Sequence, residues 1–168
     1  MVEIHRGIDD ETWDLKSIFE EHFPNLQRRS ALITLFGFLE KELDKLCALF
    51  LKEYSYKIEL GDLKGKGIDR SIKYLERVVG LDIDKTVSVW SEIKSIQKIR
   101  NLIVHNDGSL LDSNGETRKP ESIYVDSSPY LFGNKEVVIL SGYLAHILST
   151  VDFFFKVIDE SIKRKYNA

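Results

Sequence analysis

An all-α fold, an antiparallel bundle of about five helices, is what this sequence predicts, and three features predict it. Apolar residues recur at spacings of three and four over long stretches, the period of a helix with one buried face. Glycines, prolines and polar turn residues fall between those stretches, so the connections are short. Only the stretch between Gly108 and Leu140 loses the helical period, and it reads as a small irregular β-hairpin. A chain of 168 residues with 43% hydrophobic content can bury one proper core, and the expectation is a single domain over 1–168.

Taken in order, Asp9 or Asp10 suits the N-cap of a first helix over 9–23, running through Trp13, Leu15, Ile18 and Phe19. Pro24 is expected to end it, because proline disfavours helical geometry in the residue before it. From about Gln27 to Tyr54 a long helix follows, with Leu32, Leu35, Phe36, Leu39, Leu43, Leu46, Cys47 and Phe50 on one line and Glu40, Lys41, Asp44 and Lys45 outward. Gly37 inside it costs about 1 kcal/mol relative to alanine, which points to close approach of another helix. Gly61, Gly65 and Gly67, with Lys64 and Lys66, make a polar loop. No strand precedes that loop and no G-x-G-x-x-G or G-K-[ST] spacing is present, so it is not a phosphate-binding loop.

A third helix from about Ile68 to Val79 carries Ile68, Ile72, Leu75 and Val78 or Val79, and Gly80 stops it. Asp84 can cap the fourth helix, whose line is Trp90, Ile93, Ile96, Ile99 and Ile103, ending at about Val104. Beyond it, Gly115, Pro120, Pro129 and Gly133 punctuate two short runs, Ile123-Tyr124-Val125 and Val137-Val138-Ile139, which suit the hairpin between the last two helices. The last helix, about Ser141 to Lys165, presents Leu144, Ile147 or Leu148, Val151, Phe154 or Phe155, Ile158 and Ile162 as core, partner interface, or both.

Composition bounds the function classes. A net charge of -3 provides no global attraction to nucleic acid, so contact with an anionic polymer must come from a local basic patch and be salt-sensitive. The one cysteine, Cys47, cannot form an internal disulfide and reads as a small core residue. His5, His22 and His146 show no ligand spacing, so no metal or other cofactor is expected. Without a signal-type apolar segment or a run of about 18 apolar residues, no membrane association is expected and the cytoplasm is the expected location.

The chemistry-bearing stretch is the end of the fourth helix, Lys98-Ile99-Arg100-Asn101-Leu102-Ile103-Val104-His105-Asn106-Asp107-Gly108. An arginine, an amide and an imidazole close the helix, and Gly108 can then take the left-handed cap conformation. At about 100° per residue, Lys94, Lys98, Asn101 and His105 share a face, while Arg100 and His105 project roughly 140° apart if the helix is unbroken. Either the last turn unwinds before His105, or the two side chains converge with help from another element or a second copy of the chain.

The long helix, the Gly-Lys-Gly-Ile-Asp entry to the third helix, and above all Arg100-Asn101 followed by His105 and Asn106-Asp107-Gly108 resemble the HEPN family (higher eukaryote and prokaryote nucleotide-binding domain) and its R-N-x-x-x-H motif. The resemblance covers residues 25 to 165 and leaves the first helix as an N-terminal addition. It implies a helical bundle, commonly a homodimer whose motifs face each other across a cleft. It further implies metal-independent endoribonuclease activity in many members, often in bacterial defence or toxin systems with an antitoxin partner. Other members are non-catalytic interaction or nucleotide-binding modules. Some toxin members carry a tyrosine two residues after the histidine, where antitoxins modify it; Asp107 stands there in this chain, which argues against that form of regulation.

The residue chemistry agrees with the catalytic expectation. Metal-free RNA cleavage needs a group that removes the 2′-hydroxyl proton or protonates the 5′-oxygen, and a histidine suits that task near neutral pH. It also needs a cation for the phosphate, and the planar fork of an arginine donates two parallel hydrogen bonds to phosphate oxygens. The expected roles are therefore His105 as general acid or base, Arg100 as phosphate clamp and Asn101 as positioning group, with Lys94, Lys98 and Asn106 as substrate contacts and RNA as substrate. The structural alternative has Arg100 pairing with Glu40 or Glu42 and His105 bonding the last carbonyls of its own helix.

Overall fold

The computed structural model describes residues 4–5, 8–9, 14–84, 88–133 and 135–166. In chain order they form β1 (Ile4–His5), β2 (Ile8–Asp9), α1 (Leu15–Ser17), a π-helical turn (Ile18–His22), α2 (Phe23–Tyr54), a 3-10 turn (Leu60–Asp62), α3 (Gly67–Arg77), α4 (Ser88–Asn106), α5 (Lys119–Ser127), β3 (Leu131–Gly133), β4 (Val137–Ile139) and α6 (Tyr143–Tyr166). No described helix is long and apolar enough to cross a membrane. Two compact units result, Met1–Ile33 with Ile99–Leu144, and Thr34–Lys98 with Ala145–Ala168.

Five helices of nine residues or more are found among the described residues, but they are not the expected five. Pro24 does not end a first helix. The chain passes from α1 into α2 through the π turn, in which the Phe23 amide donates to the Ile18 carbonyl. A π turn widens the helix just where the ring of Pro24 would clash with the carbonyl four residues back, and a proline at the first turn has no amide to lose. Asp9 pairs with Ile4 in a two-residue antiparallel ladder, and the N-cap is Asp14, whose carboxylate accepts the Ser17 amide at 3.0 Å. Asp10 and Trp13 lie outside the described residues, as do residues 85–87, which separate the expected cap Asp84 from the described start of α4.

The second correction concerns Ile123-Tyr124-Val125, which belongs to α5 and not to a strand. Pro120 sits in the first turn of that helix, where its fixed φ favours helix entry, and burial of Val125 at 2% exposure holds the turn that follows. The hairpin is made by β3 and β4 alone, in register Leu131↔Ile139, Phe132↔Val138 and Gly133↔Val137.

In the unit Thr34–Lys98 with Ala145–Ala168, the apolar lines fall as the periodicity predicts. Phe36, Leu39, Leu43, Cys47 and Phe50 are buried on α2, Ile68, Ile72 and Leu75 on α3, Ile93 and Ile96 on α4, and Ile147, Phe154 and Ile158 on α6, while at the start of α4 Val89 is buried and the expected Trp90 is half-buried. Of the alternatives left open, Ile147 and Phe154 face inward, while Leu148 is exposed and Phe155 is half-buried. Among the described residues nothing lies within 4 Å of where a Gly37 Cβ would stand, so they make no close approach there. The close approach is at Gly67, whose Cβ would lie 2.5 Å from Glu40 Oε1. Asp44 is turned partly inward, accepting the Ser71 hydroxyl at 2.5 Å. The end of α3 is held from α6, where Lys165 Nζ donates to the Val79 and Gly80 carbonyls. His146 Nε2 lies 2.7 Å from Glu92 Oε1 in an open groove also lined by Ser88, Ser149 and Phe153.

Cys47 is the buried core residue its spacing predicts. Burial pushes its thiol up from the ordinary 9.0 to about 12, the nearby Asp44 carboxylate adds to the rise, and Arg70 opposes it. Since the folded value lies above the unfolded one, the linked stability is complete below pH 9.0 and is lost as pH rises toward 12. The expected outcome is that a disulfide-exchange reagent at pH 8 leaves the native thiol unmodified and labels it fully in denaturant. Native labelling at the rate of a free cysteine would contradict the burial.

Candidate active site

The unit Met1–Ile33 with Ile99–Leu144 contains the motif. α4 runs unbroken through His105 to Asn106, two residues beyond the expected end, so its last turn does not unwind. Its apolar side, Ile99, Leu102 and Ile103, is buried, and His105 and Asn106 are exposed. Asp107 and Gly108 then both take left-handed backbone, φ 50° and 79°, and the Gly108 amide donates to the Leu102 carbonyl at 3.1 Å. Glycine is needed at 108 for room as well as conformation: a Cβ there would lie 2.7 Å from Arg29 Nη2 and 3.2 Å from Val137 Cγ1.

The turn is braced from α2. Arg29, 8% exposed, donates from Nη1 to the Asp107 carbonyl at 3.1 Å and from Nη2 to the Val137 carbonyl at 2.7 Å. Its neighbours Asn25 and Arg28 engage the same strand: the Ile139 amide donates to Asn25 Oδ1 at 2.9 Å, and Arg28 Nη1 donates to the Ile139 carbonyl at 3.1 Å. β4 thus lies along the first turns of α2, and Val137 in turn donates its amide to the Gly108 carbonyl at 2.9 Å. None of these three polar residues was singled out by sequence reasoning. Arg29 did carry a signal, since it stands three residues before Leu32 and seven before Phe36 on the buried line of α2.

Arg100 and Asn101 are half-buried and are brought together, with Arg100 Nη1 donating to Asn101 Oδ1 at 2.9 Å. Asn101 therefore positions the guanidinium and has its amide oxygen committed there. His105 is not brought to either of them by a hydrogen bond. Among the described residues its imidazole makes no hydrogen bond or ion pair, and the capping role of its structural alternative is not taken up. With α4 unbroken, Arg100 and His105 leave the helix roughly 140° apart.

Asn106 is joined by a residue that the sequence reading passed over. Its Oδ1 accepts from Arg118 Nη2 at 3.3 Å, while Arg118 Nε donates to the Leu111 carbonyl at 3.2 Å. The loop that carries Arg118 back to α4 is closed by Asp112, whose Oδ1 accepts the Asn114 and Glu116 amides at 2.8 and 2.9 Å. Those amides, the Glu116 one first, hold the Asp112 carboxyl below its ordinary range. The Arg118 amide donates to the Leu110 carbonyl at 2.8 Å, which completes the return.

Of the expected outer contacts, Lys94 is engaged in its own unit, with Nζ 2.6 Å from Asp69 Oδ2, bonded to Gln97 Oε1, and over the Trp90 ring. Lys98 is exposed. Glu42, one possible partner offered for Arg100, pairs with Lys45 at 2.7 Å. Among the described residues no group of three His, Cys, Asp or Glu side chains is gathered as a metal site. Comparison of the chain with protein-family models, with curated proteins and with solved structures returned no match.

Proposed function

We propose that this chain is a metal-independent endoribonuclease of HEPN type, acting as a homodimer, in the defence or toxin setting that the resemblance implies. The observation that carries the reading is His105: an exposed imidazole with no intramolecular task, standing on a turn braced from two other elements. An idle side chain on a rigid support is what a proton-transfer group needs, because catalysis depends on holding it in place before substrate arrives. Arg100, aligned by Asn101, supplies the cation for the phosphate.

In this reading His105 removes the 2′-hydroxyl proton, the 2′-oxygen attacks the adjacent phosphorus, and the bond from phosphorus to the 5′-oxygen breaks. The departing 5′-oxygen takes a proton from His105 of the partner subunit, so that the two imidazoles divide the base and acid roles. Arg100 donates to the non-bridging oxygens as charge builds on them. The divergence of Arg100 and His105 along one helix is the reason for requiring two copies: a second chain brings the complementary group to the same phosphodiester.

The test is incubation of the purified protein with a broad RNA panel in excess chelator. Fragments ending in a 2′,3′-cyclic phosphate and beginning with a 5′-hydroxyl are the expected result. An intact panel at micromolar protein would overturn the reading and leave a non-catalytic module.

A further inference from the structure

Two arginines fold against the turn that ends α4, and they are held in opposite ways. Arg29 is buried, both of its terminal nitrogens are bonded to carbonyls, and Asp107 and Glu136 carboxylates stand 3.5 and 3.6 Å away. Arg118 is half-buried and pinned by two neutral acceptors, the Leu111 carbonyl and the Asn106 amide oxygen. Among the described residues it forms no ion pair within 4 Å. Asp112 lies within electrostatic reach of it but makes no ion pair with it, and Asp112 Oδ1 accepts the Asn114 and Glu116 amides. A guanidinium carries five N–H donors, and two of these are used. What remains is a positive group with an unengaged edge, fixed in position beside Asn106, the residue that follows His105.

We infer that Arg118 binds a backbone phosphate of single-stranded RNA next to the one cleaved, and that its bond to Asn106 holds the Asn106 amide oriented toward the same strand. The inference rests on the nuclease reading and adds to it a substrate contact outside the motif. It accounts for the geometry of the 109–118 loop, which returns a cation to the end of α4 by a closed set of backbone bonds. The net charge of -3 makes one such fixed cation count, because no general positive field competes with it.

The test uses the full chain with His105→Ala, so that RNA is bound and not cut, and compares it with the same chain carrying Arg118→Gln or Arg118→Lys. Binding of a single-stranded RNA oligomer is measured over a range of salt. Loss of one charge-assisted contact weakens binding by about tenfold, and the salt slope falls by about 0.7 for a single strand. Arg118→Lys restores most of the slope, because the charge is kept, but not all of the affinity, because the fork is lost. In chains with His105 intact, the larger part of the Arg118→Gln defect falls on KM. If the parent cleaves RNA while Arg118→Gln, shown folded by its melting curve, binds with unchanged slope and KM, this inference is wrong and the nuclease reading stands. If the parent neither binds nor cleaves RNA, both are wrong.

Discussion

Replacing Arg29 with alanine is expected to lower the unfolding free energy by about 3 kcal/mol, at the low end of what two hydrogen bonds from a charged donor contribute. For a chain of 168 residues that corresponds to a fall in melting temperature of about 6 to 12 °C. The loss comes from the Asp107 and Val137 carbonyls, which lose their donor in a region where little water can replace it. The ion pairs are a small part of it. The Asp107 side chain is 98% exposed and that of Glu136 is 64% exposed, so solvent screens both, and Asp107→Asn should leave the melting temperature nearly unchanged. Arg29→Lys should recover less than half of the loss, because one ammonium cannot span two carbonyls that a planar fork bridges. Thermal melting of the three variants checks this. A shift of under 1 °C for Arg29→Ala would mean that the turn is held by something other than the guanidinium.

Most of the helical frame was legible because its signal is repetitive. The buried residues of α3, α4 and α6 recur at the spacing that exposes them to a simple reading, and the stops at Gly80 and Gly108 follow from left-handed backbone, φ 76° and 79°. What was misread depends on interactions that a local pattern does not contain. Pro24 breaks an ordinary helix, and only the π turn before it removes the clash. Ile123 and Val125 are β-branched and favour strands, yet a proline at the first turn and one buried contact suffice for a nine-residue helix. Arg29 was overlooked because a charge on an apolar line looks like a flank until its carbonyl partners, 78 and 108 residues away, are in view.

The site was legible as a motif but not as an arrangement. Arg100, Asn101 and His105 could be named from spacing, but the bond from Arg100 to Asn101 could not, because neighbouring residues of a helix do not face each other. Whether α4 stays helical through His105 depends on the turn behind it, which Arg29 and β4 fix from distant parts of the chain. Arg118 was invisible for the same reason, lying twelve residues from its partner at the far side of a loop that sequence alone rendered as irregular.

If the idle imidazole of His105 does the chemistry, RNA cleavage in excess chelator must slow sharply in His105→Ala. The side chain is exposed and unbonded, so its removal should leave the melting temperature and oligomeric state unchanged. Loss of a general acid or base costs about 10²- to 10⁴-fold in rate, and in a dimer both sites lose it at once. A His105→Ala protein that is folded, is of the same size as the parent and is slower by that factor is the predicted result. A folded His105→Ala protein that cleaves RNA as fast as the parent would mean that the imidazole takes no part in the reaction.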